Sequence, residues 1–403
     1  MADAKTADPP ADKHSHEHVV HEAAGPAFSS LEAASAIGVG VNSLLVLGVL
    51  PALLGALADE HRLTNSQIGL SAMLELLAMG ISTGLCGLIR RPGRLRLIGL
   101  GASLGLAAVD LAGMHAHGDV LLALRGTAGA IEGVLLWITI GFIVRTATPE
   151  RWAGVFFTAQ TAAQLALALA LAAFILPRYG ADGGFVALAV VSLAGVLPAL
   201  TSPRVYEPLP IKPGETGAPP PRGWLALAAT VIFVAGGGAI GVYLQPLAHA
   251  AGLSADVART ALWTSLVGQV AGGALATALA GRIRYFVVFI VGSALTLVIW
   301  TIMGLNVPAW VFVADNVASG VVSLVLAPFI APMTIAADPS RRAGVQSGAA
   351  QLLGGALGPL LSSVIVGDGA VRGVLWLGAG LLLIGLALIA WLRMTDGGRR
   401  ESA

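Results

Sequence analysis

The chain has 403 residues, of which 56% are hydrophobic and only 11% are charged, whereas a soluble domain has about 25% charged residues. Its formal net charge is +1, and its arginines are spread over loops rather than gathered on one face, which argues against a nucleic-acid partner. The single cysteine excludes an internal disulfide and a cysteine metal cluster.

Apolar runs of about 20 residues, the length that crosses a bilayer, predict twelve transmembrane helices. Residues 1–30 are polar and rich in histidine, and are interpreted as a disordered cytoplasmic tail rather than a metal site. Six spans are predicted near 31–57, 66–89, 97–114, 119–143, 152–176 and 184–201. A proline-rich cytoplasmic linker follows at 202–223. Six more spans are predicted near 224–246, 257–280, 285–304, 309–333, 343–366 and 371–392, before a cytoplasmic tail at 393–403.

The basic residues predict the orientation of these spans. Most of the 23 Lys and Arg residues fall in the tails and in the loops on the same side as the tails. Because basic loops are retained in the cytoplasm, we expect both termini to be cytoplasmic. The expected location is a bacterial inner membrane, crossed many times.

A repeat joins the two predicted halves, 31–201 and 224–392. Residues 93–96 (GRLR) return as 281–284 (GRIR) 188 positions later, and 151–155 (RWAGV) return as 341–345 (RRAGV) 190 positions later. Both motifs lie at the edges of long apolar runs, so they are interpreted as the ends of loops between spans. A duplicated membrane half is typical of a transporter whose substrate path lies between two moving halves.

Twelve spans in two halves, with a basic turn after span 2 and its echo after span 8, resemble the Major Facilitator Superfamily (MFS). Residues 91–94 (RPGR) match the core of that family's loop signature, and residues 48–69 look like its first hairpin. Arg90 and Cys86 depart from the signature, which usually has an aspartate and a glycine there. The resemblance implies two pseudo-symmetric six-helix bundles around a central cavity lined mainly by spans 1, 2, 4, 5, 7, 8, 10 and 11. Spans 3, 6, 9 and 12 would support them from outside.

The resemblance also implies that Arg91, Gly93 and Arg94 act in gating. The glycine- and proline-rich antiporter signature of that family is missing from span 5, which disfavours a drug/proton antiporter.

Charged residues within the spans are the first candidates for chemistry, because a charge at bilayer depth costs about 2.5–3.5 kcal/mol or more. Arg125 and Glu132 are seven residues apart in span 4 and share one helix face, and Glu75 lies at similar depth in span 2. Glu75 and Glu132 are predicted to carry protons, and Arg125 to bind an anionic group of the substrate. The alternative is a structural ion pair between spans 2 and 4.

Two aspartates complete the set of intramembrane charges. Asp315 follows Arg125 by 190 positions, the offset of the loop repeat, so we expect the two to form a gate pair on the extracellular side. Asp110 lies near the outer end of span 3, where we expect it to reach water and to have no function.

Uncharged polar residues are predicted to shape the substrate site. The candidates are Asn42, Gln160, Gln164, Gln269, Gln346 and Gln351, with Trp263 as an aromatic wall opposite Glu75. The alternative for each amide is a hydrogen bond between helices, and for Trp263 it is packing.

The sequence therefore predicts a monomeric secondary transporter that moves a small organic solute, with an anion favoured, and is coupled to protons. A proton-driven efflux antiporter for amphipathic compounds is the alternative within transport. A non-transporting membrane sensor and a lipid-handling protein are alternatives of another class. No nucleotide-binding loop or catalytic constellation appears in the spans, so we expect no enzyme activity, cofactor or metal.

Overall fold

A computed structural model describes residues 28–89, 91–210, 217–366 and 371–400, and all regular structure within these ranges is helical. The predicted tail up to residue 27, Arg90, part of the linker (211–216) and residues 401–403 lie outside the described residues. The last helix continues to Arg400, beyond the predicted span end at 392, because a helix can extend past the membrane surface.

The first half contains six long helices. They are α1 (Ser30–Asp59), α2 (Asn65–Gly87), α3 (Leu95–Gly113), α4 (Gly118–Ile143), α5 (Pro149–Ala170, extended by a π-helical turn, Leu171–Ile175) and α6 (Leu176–Ala194). Ser29 and Thr64 begin α1 and α2 with capping boxes that involve Glu32 and Gln67, which satisfy free backbone N–H groups. Gly180 has a φ of 58° and interrupts α6 near its start, and a short helix, Val196–Thr201, follows.

The second half repeats this order. Its long helices are α7 (Pro221–Gly241), α8 (Ala255–Leu279), α9 (Tyr285–Met303), α10 (Ala309–Leu326), α11 (Arg342–Val366) and α12 (Gly373–Arg400). Short helices at Leu244–Ala250 and Ile330–Ala337 follow α7 and α10. The predicted all-helical fold with two six-helix bundles is confirmed for the described part of the chain.

Hydropathy along these helices agrees with spans across a membrane. Ten stretches of the described chain are long and apolar enough to cross one, and one of them, Pro149–Thr201, contains both α5 and α6. α11 is not among the ten stretches found in the described residues.

Glycines bring pairs of helices within each half into backbone contact. A Cβ atom added at Gly129 or Gly133 of α4 would collide with the carbonyl oxygens of Glu75 or Met79 in α2. In the second half, Gly268 of α8 is similarly pressed against the backbone of α10. Because helices in lipid are not driven together by hydrophobic burial, such close contact supplies much of their association.

The two halves meet through α2 and α11 and through α5 and α8. We call the end of the bundle that carries residues 202–210 and the start of α1 the linker side, and the opposite end the far side. On the linker side, Gly154 of α5 lies against Thr277 of α8, and Gln346 of α11 donates to the carbonyl oxygen of Gly84 in α2 at 3.0 Å.

Candidate functional site

A buried ionic cluster lies inside the first half. The guanidinium of Arg125 on α4 donates to Glu75 Oε1 on α2 at 3.0 Å and to Asp110 Oδ1 on α3 at 2.7 Å. Ser192 on α6 donates to the other oxygen of Asp110 at 3.0 Å. The ring of Phe185, also on α6, lies 5.6 Å from the guanidinium carbon. The cluster therefore ties four helices of one half together.

Glu132 completes this ionic cluster two turns along α4 from Arg125. It is 2% exposed, and its Oε2 has no hydrogen-bond partner, as is also true of Glu75 Oε2. Arg125 thus pairs with two carboxylates, Glu75 and Asp110, while Glu132 forms no ion pair with described residues, in an interior where an uncompensated charge is costly. The arrangement can hold a proton on one of its carboxyl groups.

The ionic cluster does not line a cavity, contrary to the prediction that its side chains project into a central pocket. Glu75, Asp110 and Arg125 are 0–2% exposed, and none of the four charged groups borders the cavities described below. The prediction that Arg125 binds substrate is therefore not supported by its position, because both ends of its guanidinium are held by carboxylates. The prediction that Asp110 reaches water was wrong, because α6 covers it through Ser192 and Phe185.

Asp315 on α10 lies in the other half and does not approach Arg125. It is 6% exposed, and its Oδ2 has no hydrogen-bond partner. The predicted gate pair is not formed in this structure, because Asp110 and Glu75 already occupy the guanidinium. An equal repeat offset gives equal depth in the two bundles but does not determine which way a side chain points.

A central cavity lies between the halves and is lined mostly by apolar side chains. Among its lining residues, Gln160 comes from α5, Gln269 from α8 and Gln351 from α11. Gln160 Oε1 is buried and has no hydrogen-bond partner within the described protein. No charged side chain borders this cavity in the described part of the chain. These three amides are the predicted substrate residues that the structure brings together.

The other predicted substrate residues lie elsewhere. Asn42 faces Gly195 within the first half, and Gln164 donates to the carbonyl oxygen of Leu44 on α1 at 2.5 Å. Gln346 joins the halves on the linker side. Trp263 packs against an apolar cluster of the first half. Hydrogen bonds between helices describe Gln164 and Gln346 and packing describes Trp263 better than ligand contact does, whereas neither amide atom of Asn42 has a hydrogen-bond partner among described residues.

The linker side is held closed by Arg341, which the sequence analysis did not select as a functional residue. Its Nη1 donates to the carbonyl oxygens of Val144 at 2.6 Å and Thr146 at 3.0 Å, at the end of α4 in the other half. A cation at the carboxyl end of a helix is stabilised by the exposed carbonyl groups there. Burial lowers the pKa of Arg341. The repeat that pairs residues 151–155 with 341–345 was the signal that could have indicated it.

The predicted gating residues make different contacts. Arg91 and Arg94 are exposed and form no side-chain hydrogen bond with described residues, although Arg94 adopts a left-handed φ of 57° where α3 begins. Their loop is fixed to the linker through backbone bonds, from Leu95 N to Arg204 O and from Tyr206 N to Pro92 O. In this structure the loop that contains Gly93 therefore anchors the linker.

The linker is anchored to the first half by an arginine and a tyrosine. The guanidinium of Arg145, just after α4, lies 4.9 Å from the ring of Tyr206 and donates to the carbonyl oxygen of Glu207 at 3.1 Å. The Tyr206 hydroxyl donates to the carbonyl oxygen of Ile138 at 2.6 Å. Burial lowers the pKa of Arg145 to about 10, which leaves it charged at neutral pH.

Comparison with solved structures identifies the fold. The human organic anion transporter MFSD10 (TETRAN) is 13% identical, with a TM-score of 0.68 over 89% of this chain and 99% of that one. The MFS transporter FucP, solved in the outward conformation, is 15% identical, with a TM-score of 0.65 over 90% of this chain and 98% of that one. No protein-family model and no curated protein sequence matches the chain. The protein therefore has the fold of the Major Facilitator Superfamily, as the sequence predicted.

Proposed function

We propose that the protein is a secondary active transporter that moves a small, uncharged organic solute through the central cavity by alternating access. The observation that carries this proposal is a cavity between two MFS bundles bordered by three amides from both halves, Gln160, Gln269 and Gln351. An amide both donates and accepts hydrogen bonds, so it suits neutral polar groups. The anion preference expected from the sequence depended on Arg125, which does not reach the cavity.

Hydrogen bonds between the halves close the linker side, as expected for one of the conformations that a transporter adopts during its cycle. Side-chain hydrogen bonds from Arg341 and Gln346 cross between the halves, and both lie on the linker side. If the linker is cytoplasmic, as the basic loops predict, the cavity is closed toward the cytoplasm in this state. We propose that both termini lie in the cytoplasm of a bacterial cell.

Uptake into proteoliposomes tests the transport proposal. The panel contains neutral amides and alcohols, organic acids and cationic dyes, each with and without a pH gradient of either direction. We expect saturable movement of a neutral solute, reduced at least tenfold by Gln269→Leu or Gln351→Leu. Gln245→Leu is the matched control, because Gln245 is exposed and lies outside the cavity lining. Movement of none of these solutes would reject the proposal in favour of a sensor, and movement of acids or dyes alone would reject the neutral solute.

We further propose that the ionic cluster couples transport to protons, with Glu75 and Glu132 as the carriers. Support comes from the unpaired oxygen on each of these two carboxyl groups and from the burial of both beside an arginine that already pairs with Asp110. Protonation would weaken the hold of Glu75 on α4 and so change the packing of α2, which contacts α11 across the halves. The coupling would thus be mechanical, through helix contacts, and not through a group in the cavity.

Glu132→Gln separates coupling from transport, because it keeps the side-chain shape and removes the titratable proton. We expect it to abolish accumulation driven by a pH gradient while solute exchange at equal pH continues. Asp119→Asn, at an exposed carboxylate at the start of the same helix, is the control and should leave both unchanged. Full gradient-driven accumulation in both Glu75→Gln and Glu132→Gln would exclude the cluster from coupling.

A further inference from the structure

We propose that the second half contains an apolar subsite for the ring or branched hydrocarbon part of the solute. We call this space the C-half chamber and define it by Phe233, Trp300, Met303 and Leu382, which line it. Trp300 and Met303 belong to α9 and Leu382 to α12. The chamber therefore extends past the helices that face the first half and into the interior of the second bundle. This proposal rests on the proposed transport function.

Several polar residues line the C-half chamber, and three of them donate hydrogen bonds within their own helices. Thr296 donates its hydroxyl to the carbonyl oxygen of Gly292 at 2.8 Å, and Ser323 donates to that of Gly320 at 2.9 Å. The amide of Asn316 donates to Phe312 O at 2.8 Å. These donors are satisfied within their own helices, and no charged side chain lines the chamber in the described chain. Such a wall favours an uncharged, largely apolar group.

The C-half chamber is continuous with the central cavity. Gln269, Leu324, Ala327 and Gln351 border both spaces. A solute held by the two glutamine amides at this junction can therefore place an attached apolar group between Trp300 and Phe233. The chemical class that fits both parts is an uncharged amphipathic molecule with a polar head of amide or alcohol type.

Two glycines of α7 show that the C-half chamber has free space at its wall. Gly237 and Gly241 line it, both are exposed, and a Cβ atom added at either would meet no atom within 4 Å. A leucine at either position can fill the chamber without displacing a neighbouring backbone. Replacing glycine inside a helix also favours the helical conformation, so these variants are expected to fold.

Binding of 4-bromobenzamide to the protein in nanodiscs tests the subsite. This probe is uncharged, its amide suits the glutamines, and its bromine quenches tryptophan emission on contact. The contribution of Trp300 is obtained by subtracting the fluorescence emission of the Trp300→Phe variant from that of the unchanged protein. We expect saturable quenching of that signal, with affinity weakened at least tenfold by Gly237→Leu and by Gly241→Leu. Acetamide, which has the same polar head but no ring, should not compete at equal concentration.

Gly380→Leu is the matched control, because Gly380 of α12 also has open space around its Cβ position but does not line the chamber. It should keep the affinity within about twofold, since it leaves the chamber unfilled. Quenching that never saturates, or equal affinity in all three leucine variants, would overturn the subsite. Binding with these properties in a protein that moves no solute would instead reject the proposed function alone. Saturable transport that Gly237→Leu does not alter would reject the subsite alone.

Discussion

The two halves share one arrangement of helices but differ in what occupies their interiors. In the first half, Asp110, Arg125 and Ser192 form a bonded network between α3, α4 and α6. The residues 190 positions later are Trp300, Asp315 and Leu382. Two of these, Trp300 and Leu382, line the C-half chamber. An ionic core in one half thus corresponds to an open apolar space in the other.

This difference indicates that the two halves have different roles, which the sequence repeat alone does not show. A buried charge network with matched partners specifies one packing, because removing a partner leaves an uncompensated charge. A wall made mostly of apolar side chains tolerates a ligand of variable shape. We therefore expect the stability of the protein to depend more on buried charges in the first half. In the second half, we expect binding to depend more on the volume of the side chains that line the chamber.

The largest effect is expected from Arg125→Leu. This change leaves Glu75 and Asp110 buried without a cation, and breaking such a buried pair costs about 3–5 kcal/mol. Thermal unfolding in detergent should show a large fall in midpoint, part of which is recovered by adding Asp110→Leu. Arg178→Leu, at an exposed arginine, is the control. A midpoint in Arg125→Leu equal to that of the control would contradict the role of the ionic core.

A second comparison uses glycines in the two interiors. Gly129→Val places a side chain against the backbone of α2 beside Glu75, and overpacking of this kind costs about 1–3 kcal/mol. Gly237→Val points into open space in the C-half chamber and should change the free energy of unfolding by less. Chemical unfolding of both variants measures the difference between their free energies of unfolding. Equal destabilisation would mean that the second interior is as tightly packed as the first.

A smaller effect is expected on the linker side. Arg341→Ala removes the bonds to Val144 and Thr146, each worth about 0.5–1.5 kcal/mol or somewhat more for a charged donor. Maleimide labelling of Cys86, the one cysteine of the sequence, should then become several-fold faster as α2 separates from α11. The control is Arg151→Ala, because Arg151 is the exposed residue that corresponds to Arg341 in the repeat. In this variant, Cys86 should react with maleimide at the original rate. Unchanged labelling in Arg341→Ala would show that this arginine does not hold the closed state.

The smallest effect is expected from Asp315→Asn. Asp315 is buried and forms no ion pair with described residues, so neutralising it removes an unpaired buried charge and no partner, and the unfolding midpoint should stay the same or rise slightly. Combining Arg125→Asp with Asp315→Arg should likewise fail to restore either stability or transport. Restoration of transport would show that the two residues meet in another state of the cycle.

How much of the site the sequence predicts depends on the type of information that each residue carries. The depth of Glu75, Arg125 and Glu132 follows from their positions in apolar runs, and the three do lie together. Their partner Asp110 was dismissed because span ends are uncertain by several residues. Of the six amides predicted, Gln160, Gln269 and Gln351 line the cavity, whereas Asn42 and Gln164 turn into their own bundle. The direction of a side chain depends on how its helix is rotated about its own axis. A membrane helix is only weakly amphipathic, so its sequence does not indicate this rotation.

By itself, the sequence determined the helical spans, the duplication and the MFS fold, because hydropathy and repeat offsets are properties of the chain alone. The tertiary structure decided which charges pair, which amides meet at the cavity and that α9 and α12 line a chamber rather than only supporting the bundle from outside. These contacts depend on how closely glycine-bearing helices approach and rotate against each other. That geometry arises only when all the helices pack together.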